Sequence, residues 1–371
     1  MKVPFVDLKA QYLSIKEDID EAIFNVIAET AFIGGKYVQN FEKEFAEKYQ
    51  VKHCISVANG TDSLYIIMKM LGIGPGDEVI TVANSWISSS ETITQTGAKP
   101  VFVDIDPLYY TIHEKLISSK ITSRTKAIMP VHLFGQMCDM DLISELASQH
   151  GLFVIEDCAQ SHFSEFKGRR AGTIGIAGSF SFYPGKNLGA YGDAGCIITN
   201  DDELAEKCRI YARHGAKVKH QHTIEGINSR LDGMQAAILS KKLPHILEWT
   251  KKRIEKAAYY SQLLQHIPEL VCPVVRPESM HTFHLYVVKV KNRSGLVQYL
   301  AAQGIETAIH YPTALPLLPA YDYLNQKASD FPVSFANQSE ILSLPMYPEL
   351  KEEAIEKVVE AIKIFYSEAQ N

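Results

Sequence analysis

Short β-rich runs alternate with helical patterns through the first two-thirds of the chain. That rhythm restricts the fold more than any other feature. The runs are HCISVA at 53–58, EVITVA at 78–83, KPVFVDI at 99–105, KAIMPVHL at 126–133 and LFVIEDC at 152–158. Helix-like stretches such as 61–71 and 140–150 lie between them. Apolar runs separated by helices belong in a mostly parallel sheet covered on both faces. From about residue 178 the runs come closer together, as GSFSFYP and then GCIITN. Amphipathic helices are expected at about 202–213 and 231–266.

A Pro-rich break, PELVCPVVRPE at 268–278, changes the pattern. After it the sequence predicts a strand at 282–290, a helix near 294–303, a strand at 306–311 and a terminal helix near 350–368. A length of 371 residues suits two domains. The expected division is a large α/β domain over 1–250 and a smaller C-terminal α+β domain over 251–371.

The net charge of −6 provides no global basic field for nucleic acid. No apolar run approaches the roughly 18 residues of a membrane span. The opening MKVPFVDLKAQYLSIKEDIDEAI is broken by Asp7 and Lys9, unlike a signal peptide. Six cysteines are scattered without a C-x-x-C pair. Together these point to a reducing, cytoplasmic compartment, with no membrane or nucleic-acid partner.

Four segments carry chemistry. GSFSFYPGKNLGAYGDAG at 178–195 places Lys186 on a glycine-dense loop, where its amine could form a Schiff base or it could be a plain surface lysine in a turn. Asn187 follows the lysine and Gly178 lies too far from Gly185, so this is no phosphate-binding P-loop. LFVIEDCAQSH ends a buried strand in Glu156 and Asp157, with Gln160 beyond. Ligands of open α/β sheets bind at such strand ends, where a carboxylate can hold a cationic ring nitrogen or cap the next helix. VANGTDSL runs from a strand through Asn59, Gly60 and Thr61 into a helix, a turn suited to phosphate or to plain capping. ANSWISSSETI puts Trp86 after another strand end, as a stacking face or a core residue. Amine, carboxylate, phosphate turn and aromatic together fit pyridoxal 5′-phosphate, which serves as an electron sink.

With these segments in order, the sequence resembles the DegT-type nucleotide-sugar aminotransferases, fold type I pyridoxal phosphate enzymes. The likeness runs from VPFVDLKAQY through FIGG, NGTDSL, GAKPVFVDID, IEDCAQSH and SFYPGKNLGAYGDAG to GINSRLDGMQAAIL, HLYVV and IHYP. It implies that Lys186 bonds the cofactor's aldehyde carbon, that Asp157 pairs with the ring nitrogen and that Gln160 lies near the ring's phenolic oxygen. It puts Trp86 where an aromatic stacks on the ring, and Gly60, Thr61 and Ser181 at the phosphate. Asn228 matches an asparagine that reaches the phosphate from a partner subunit, which implies a homodimer with shared sites. Two departures lie beside the site: His162-Phe163-Ser164 in place of a His-Gly-Ala-like stretch, and Ser88-Ser89-Ser90-Glu91 in place of a more apolar run.

The implied activity is transfer of an amino group from L-glutamate to a TDP- or UDP-linked keto-hexose by a ping-pong route, with C3 of the sugar favoured over C4. The amino sugar would feed a surface polysaccharide, such as lipopolysaccharide O-antigen, or a glycosylated natural product. Arg213, His214, Lys219, His220 and His222 on the loop before Asn228, with His310 and Tyr311, are the candidates for gripping the sugar nucleotide. His220 and His222 have no nearby cysteine or carboxylate, so no metal site is expected. Alternatives are a carbocyclic ketone of the inosose type as acceptor, and a non-catalytic regulatory member of the fold.

Overall fold

The expected runs become seven strands of one sheet in the computed structural model, which describes residues 1–368. They are β1 (His53–Val57), β2 (Glu78–Val82), β3 (Lys99–Val103), β4 (Thr125–Met129), β5 (Phe153–Asp157), β6 (Ala177–Ser181) and β7 (Gly195–Thr199). Their order is β1-β7-β6-β5-β4-β2-β3. Only β7 opposes its neighbours, pairing antiparallel with both β1 and β6. The rest run the same way, so their carboxyl ends share one edge. All five residues of β2 are buried, as are those of β7, which is why these runs are mostly apolar rather than alternating.

Alternation along the strands feeds two cores. Val154 packs on one face with Phe41, Phe45, Phe163, Phe180 and Phe182. Its neighbour Ile155 packs on the other, with Ile66, Ile67 and Met68 of the helix Gly60–Met70. The parallel strands are therefore sandwiched between helices, and polar groups can reach a ligand only at the strand ends.

Beyond residue 264 a second, antiparallel sheet forms from β8 (Leu270–Val271), β9 (Tyr286–Val290) and β10 (Ile341–Leu344). The helices Ile246–Leu264, Arg293–Ala302 and Glu352–Glu368 cover it around Tyr260, Leu264, Tyr286, Leu296 and Ile355. Val3 joins this cluster, its N–H donating to the Gly304 carbonyl at 2.9 Å. The helix Ile246–Leu264 belongs to both cores: Ile246 and Trp249 pack with the large sheet, and Tyr260 and Leu264 with the small one.

Three sequence expectations are adjusted. The helix over 231–266 is divided into Gly233–Lys242 and Ile246–Leu264 by a tight turn at Leu243–His245, because Pro244 lacks the N–H that a continuous helix requires. The strand expected at 306–311 is reduced to one bridge, Ala308 with Ser343. The strand that pairs with β9 is β10, from a run not identified in the sequence, while His310 bonds Ser343 of β10 and Tyr311 reaches Gln160 at the large sheet's strand ends. The strand expected from 282 begins only at Tyr286, since residues 282–285 pack against Phe134 and Gly135.

Candidate active site

The strand ends converge on one locality. After β1, the Asn59 side chain accepts from the Asp62 N–H at 2.8 Å and caps the helix Gly60–Met70. A Cβ on Gly60 would lie 2.7 Å from Cβ of Ser181, so glycine is what lets the β1 turn and the end of β6 touch. Thr61 shares a 2.7 Å hydroxyl hydrogen bond with Ser88. The first backbone N–H groups of the helix, the Thr61 hydroxyl and Ser181 thus form a small polar cradle, where the helix dipole favours an anion.

β5 ends in two carboxylates of opposite character. Glu156 accepts four hydrogen bonds: from His132 Nε2 at 2.9 Å and from the N–H groups of Gly172, Ile174 and Gly175 at 2.6–2.8 Å. The Cys138 N–H donates to Nδ1 of His132, so the histidine proton sits on Nε2, toward Glu156. Burial pushes the Glu156 pKa up, but these donors outweigh it and hold the carboxyl below its ordinary value. Cys158 lies near His132 and Glu156 in a metal-like grouping. Both Glu156 oxygens are already taken by hydrogen bonds, which makes the grouping structural.

Asp157 points to the other side of the strand. It accepts one hydrogen bond on each oxygen, from Ser89 Oγ at 2.8 Å and from the Ala159 N–H at 3.1 Å. A carboxylate has about four lone-pair sites, so Asp157 keeps acceptor capacity. Burial raises its pKa despite those two donors and the charge of Lys186. Such a group gains most from a cation placed opposite it.

Lys186 lies on the loop between β6 and β7, whose turn closes with its N–H donating to the Tyr183 carbonyl at 2.8 Å. The residue is half-buried. Burial lowers its pKa to about 8, with Asp157 acting in the opposite direction. An amine so placed is partly neutral near physiological pH and is a competent nucleophile and proton carrier. Gln160 accepts from the Phe134 N–H at 2.8 Å and donates to the Tyr311 hydroxyl at 2.9 Å, so its amide is fixed in orientation. Trp86 follows β2 and is 59% exposed, its ring centroid 5.9 Å from that of Tyr311. An aromatic face left this open at a strand end can cover a flat ligand. His310 hydrogen-bonds Ser343 at 2.8 Å and stacks on Phe5; burial lowers its pKa to about 4.

The remaining candidates lie apart from this cluster. Asn228 is exposed; next to it, Ser229 Oγ donates to Asp62 at 2.6 Å and accepts from the Ala58 N–H at 3.0 Å. Lys219 and His220 form the exposed tip of the hairpin Ala216–Val218/Gln221–His222. Sequence reasoning missed the role of Ser89 on Asp157. It also missed the pair that holds the residue after Lys186: Asn187 donates to the Thr282 carbonyl at 3.1 Å and accepts from His284 Nδ1 at 3.2 Å. The serine run beside the site was visible as a signal for the first. Nothing local marks the second, because its partners lie about 95 residues away.

A polar cradle that favours an anion, a carboxylate with open acceptor sites and an amine of lowered pKa on one sheet edge suit pyridoxal 5′-phosphate. The comparisons agree. The model of the DegT/DnrJ/EryC1/StrS aminotransferase family matches residues 13–363. A "Pleiotropic regulatory protein" of Geobacillus stearothermophilus is 46% identical over 99% of both chains. A dTDP-3-amino-3,6-dideoxy-alpha-D-galactopyranose transaminase of Aneurinibacillus thermoaerophilus is 45% identical, over 97% of this chain and 98% of the other. The crystal structure of S. venezuelae DesV in complex with a ketimine intermediate superposes with a TM-score of 0.96 at 39% identity, covering 98% of each chain. With sequence, fold and site chemistry in agreement along nearly the whole length, the chain belongs to the DegT/DnrJ/EryC1/StrS aminotransferase family, whose enzymes transfer amino groups with pyridoxal phosphate.

Proposed function

We propose that this enzyme moves an amino group from L-glutamate to C3 of a keto-hexose linked to TDP or UDP, by a ping-pong route. The observation that carries the reading is the pairing of Asp157, buried with acceptor capacity to spare, with Lys186, whose amine loses its proton near pH 8. The Aneurinibacillus relative's name supports a nucleotide-linked sugar and the 3-position.

When bound, pyridoxal phosphate supplies the electron sink. The chain's own residues do the rest. The helix start at Gly60, with Thr61 and Ser181, holds the phosphate. Asp157 holds the ring nitrogen in its protonated form; opposed charges lower the carboxyl's pKa and raise the nitrogen's, so each stabilises the other. Gln160, fixed by Phe134 and Tyr311, would hold the ring's phenolic oxygen, and Trp86 would cover the ring. Lys186 first holds the cofactor. When freed, its amine would carry a proton between the donor's α-carbon and the cofactor's former aldehyde carbon, and would carry it the opposite way with the keto sugar.

Asn228 reaches the phosphate of a second copy in this reading, so the working unit is a homodimer with shared sites. Lys219, His220, His310 and Tyr311 bind the sugar nucleotide, the first two by closing an exposed hairpin over its diphosphate. The large domain is taken as 1–250 and the small one as 251–371. The enzyme works in the cytoplasm, and its product feeds a surface polysaccharide or a glycosylated natural product. Among the described residues no helix is long and apolar enough to cross a membrane.

The test is incubation with L-glutamate and TDP- or UDP-linked 3-keto-hexoses, followed by mass analysis for the amino sugar. Product from wild type and none from Lys186→Ala supports the reading. Amination of a free inosose instead would favour a carbocyclic acceptor. A second reading, a regulatory member of the fold, is favoured by the name of the Geobacillus relative. Absence of amination with every ketone would select it.

A further inference from the structure

Two cations are buried behind the Lys186 loop, and every hydrogen bond they make goes to a backbone carbonyl of that neighbourhood. Lys242 and Arg253 are 1% and 4% exposed. They lie on the two helices joined by the Pro244 turn, Gly233–Lys242 and Ile246–Leu264. Lys242 Nζ donates to the Gly189 carbonyl at 2.5 Å and sits 4.9 Å from the centre of the Tyr191 ring. Gly189 is where the loop folds onto itself, since a Cβ there would lie 2.3 Å from the Pro184 carbonyl oxygen. The Ala190 N–H then donates to the Phe182 carbonyl at 2.7 Å and closes the loop around Lys186.

Arg253 holds the other side. Its Nη1 donates to the carbonyls of Phe283 at 3.1 Å, Met346 at 2.9 Å and His284 at 3.4 Å. The stretch it fixes is the one that grips Asn187, through the Thr282 carbonyl and His284 Nδ1. Asn187 and Gly189, the first and third residues after Lys186, are therefore held from one rear wall. Glu349 supplies the opposing charge, acting on both cations against the lowering caused by their burial.

A buried cation is a costly way to fill space, and a well-packed apolar side chain of similar volume is often no worse for stability. A charge-assisted hydrogen bond to a carbonyl gives instead a fixed direction. We propose that Lys242 and Arg253 are positioning residues for Lys186, holding the loop carbonyl at Gly189 and the 282–284 stretch so that the lysine amine meets the cofactor at bonding distance. This inference rests on the reading of Lys186 as the cofactor's lysine.

The test uses the full-length chain and compares wild type, Lys242→Met and Lys242→Arg. Attachment of pyridoxal phosphate to Lys186 is followed by the visible absorbance of the lysine-bound form. Binding of pyridoxamine 5′-phosphate, which needs no bond to Lys186, is measured alongside. A misplacement of the amine by about 1 Å should slow attachment and kcat in Lys242→Met by about tenfold to a hundredfold, with pyridoxamine phosphate affinity and the glutamate KM within about threefold. Lys242→Arg should recover most of the loss. Unchanged attachment in Lys242→Met overturns the inference while leaving the lysine assignment intact. Equal loss of both cofactor forms also overturns it, since that is the mark of a merely structural role. Should Lys242→Met not accumulate as folded protein, Arg253→Lys probes the same wall, and an unchanged attachment rate there overturns the inference equally. If wild type itself gives no visible band with pyridoxal phosphate, the cofactor reading falls and the inference with it.

Discussion

Glu156 and Asp157 are adjacent on one strand, equally buried and chemically alike, yet the protein uses them in opposite ways. Glu156 faces the 172–175 turn and His132, and four donors hold its carboxyl below the ordinary value. Asp157 faces Lys186 with two donors, and burial raises its carboxyl above the ordinary value. The first is a clamp that ties the turn before β6 to β5. The second keeps acceptor sites unfilled. What separates the two is not burial but whether the acceptor sites are already filled.

Exchange of one oxygen for nitrogen breaks the comparison most directly. Asp157→Asn should lower kcat/KM by about 10³-fold, the scale of a lost preorganised electrostatic partner, while the urea midpoint stays near wild type or rises. Glu156→Gln should do the reverse. Presenting an amide to backbone N–H groups should cost about 3 kcal/mol in urea unfolding, with kcat nearly unchanged once the cofactor is saturating. Equal effects of the two variants on activity would remove the distinction.

The pH dependence sharpens it. Glu156 has a lowered folded pKa, so its stabilisation is present above the ordinary 4.5 and disappears as pH falls through the folded value. The gap in stability between wild type and Glu156→Gln should therefore shrink in acid. Asp157 has a raised folded pKa, so its ionised form costs the folded chain stability and acid relieves that cost. The gap between wild type and Asp157→Asn should also narrow in acid, but from the opposite sign. Lys186 behaves as Asp157 does. With a folded pKa of about 8 against an ordinary 10.5, its charged form destabilises the cofactor-free chain below about pH 8. Stability should recover as pH rises through that window. Cofactor-free Lys186→Met should be more stable than wild type at pH 7 and lose the advantage above about pH 10.5, as read by urea midpoints.

Smaller effects come from the support around Asp157 and the phosphate cradle. Gly60→Ala forces a Cβ to 2.7 Å from Ser181 and should weaken cofactor binding by about tenfold, at an overpacking cost of about 1–2 kcal/mol. Ser89→Ala removes one hydrogen bond to a charged group, about 1.5 kcal/mol, and should reduce kcat/KM by about tenfold or less. A Ser89→Ala effect larger than that of Asp157→Asn would contradict the hierarchy.

Much of this was legible in the sequence, for identifiable reasons. The strands of the large sheet are apolar because both faces are covered, and each ends within a few residues of the expected limit. The residues proposed to carry chemistry, Asp157, Gly60, Thr61 and Trp86, lie at or within a few residues of those strand ends, which is the position that singled them out in the sequence. The small sheet was harder. ETAIHY has the look of a strand, but its last residues are diverted: His310 bonds Ser343 and Tyr311 bonds Gln160. The true strand, Ile341–Leu344, is only four residues long and follows a helix without a turn signal. Long-range supports such as Arg253 on the 282–284 stretch depend on tertiary packing and have no local pattern, and Ser89 on Asp157 left only the serine run as a signal.

The most direct measurement is the absorbance spectrum of the purified protein with pyridoxal phosphate, recorded before and after L-glutamate in wild type and Asp157→Asn. The account predicts that wild type shows the visible band of the lysine-bound cofactor and that glutamate converts it to the near-ultraviolet band of the amine form. It predicts that Asp157→Asn keeps the first band but converts far more slowly. Wild type without a visible band, or Asp157→Asn converting at the wild-type rate, would contradict it.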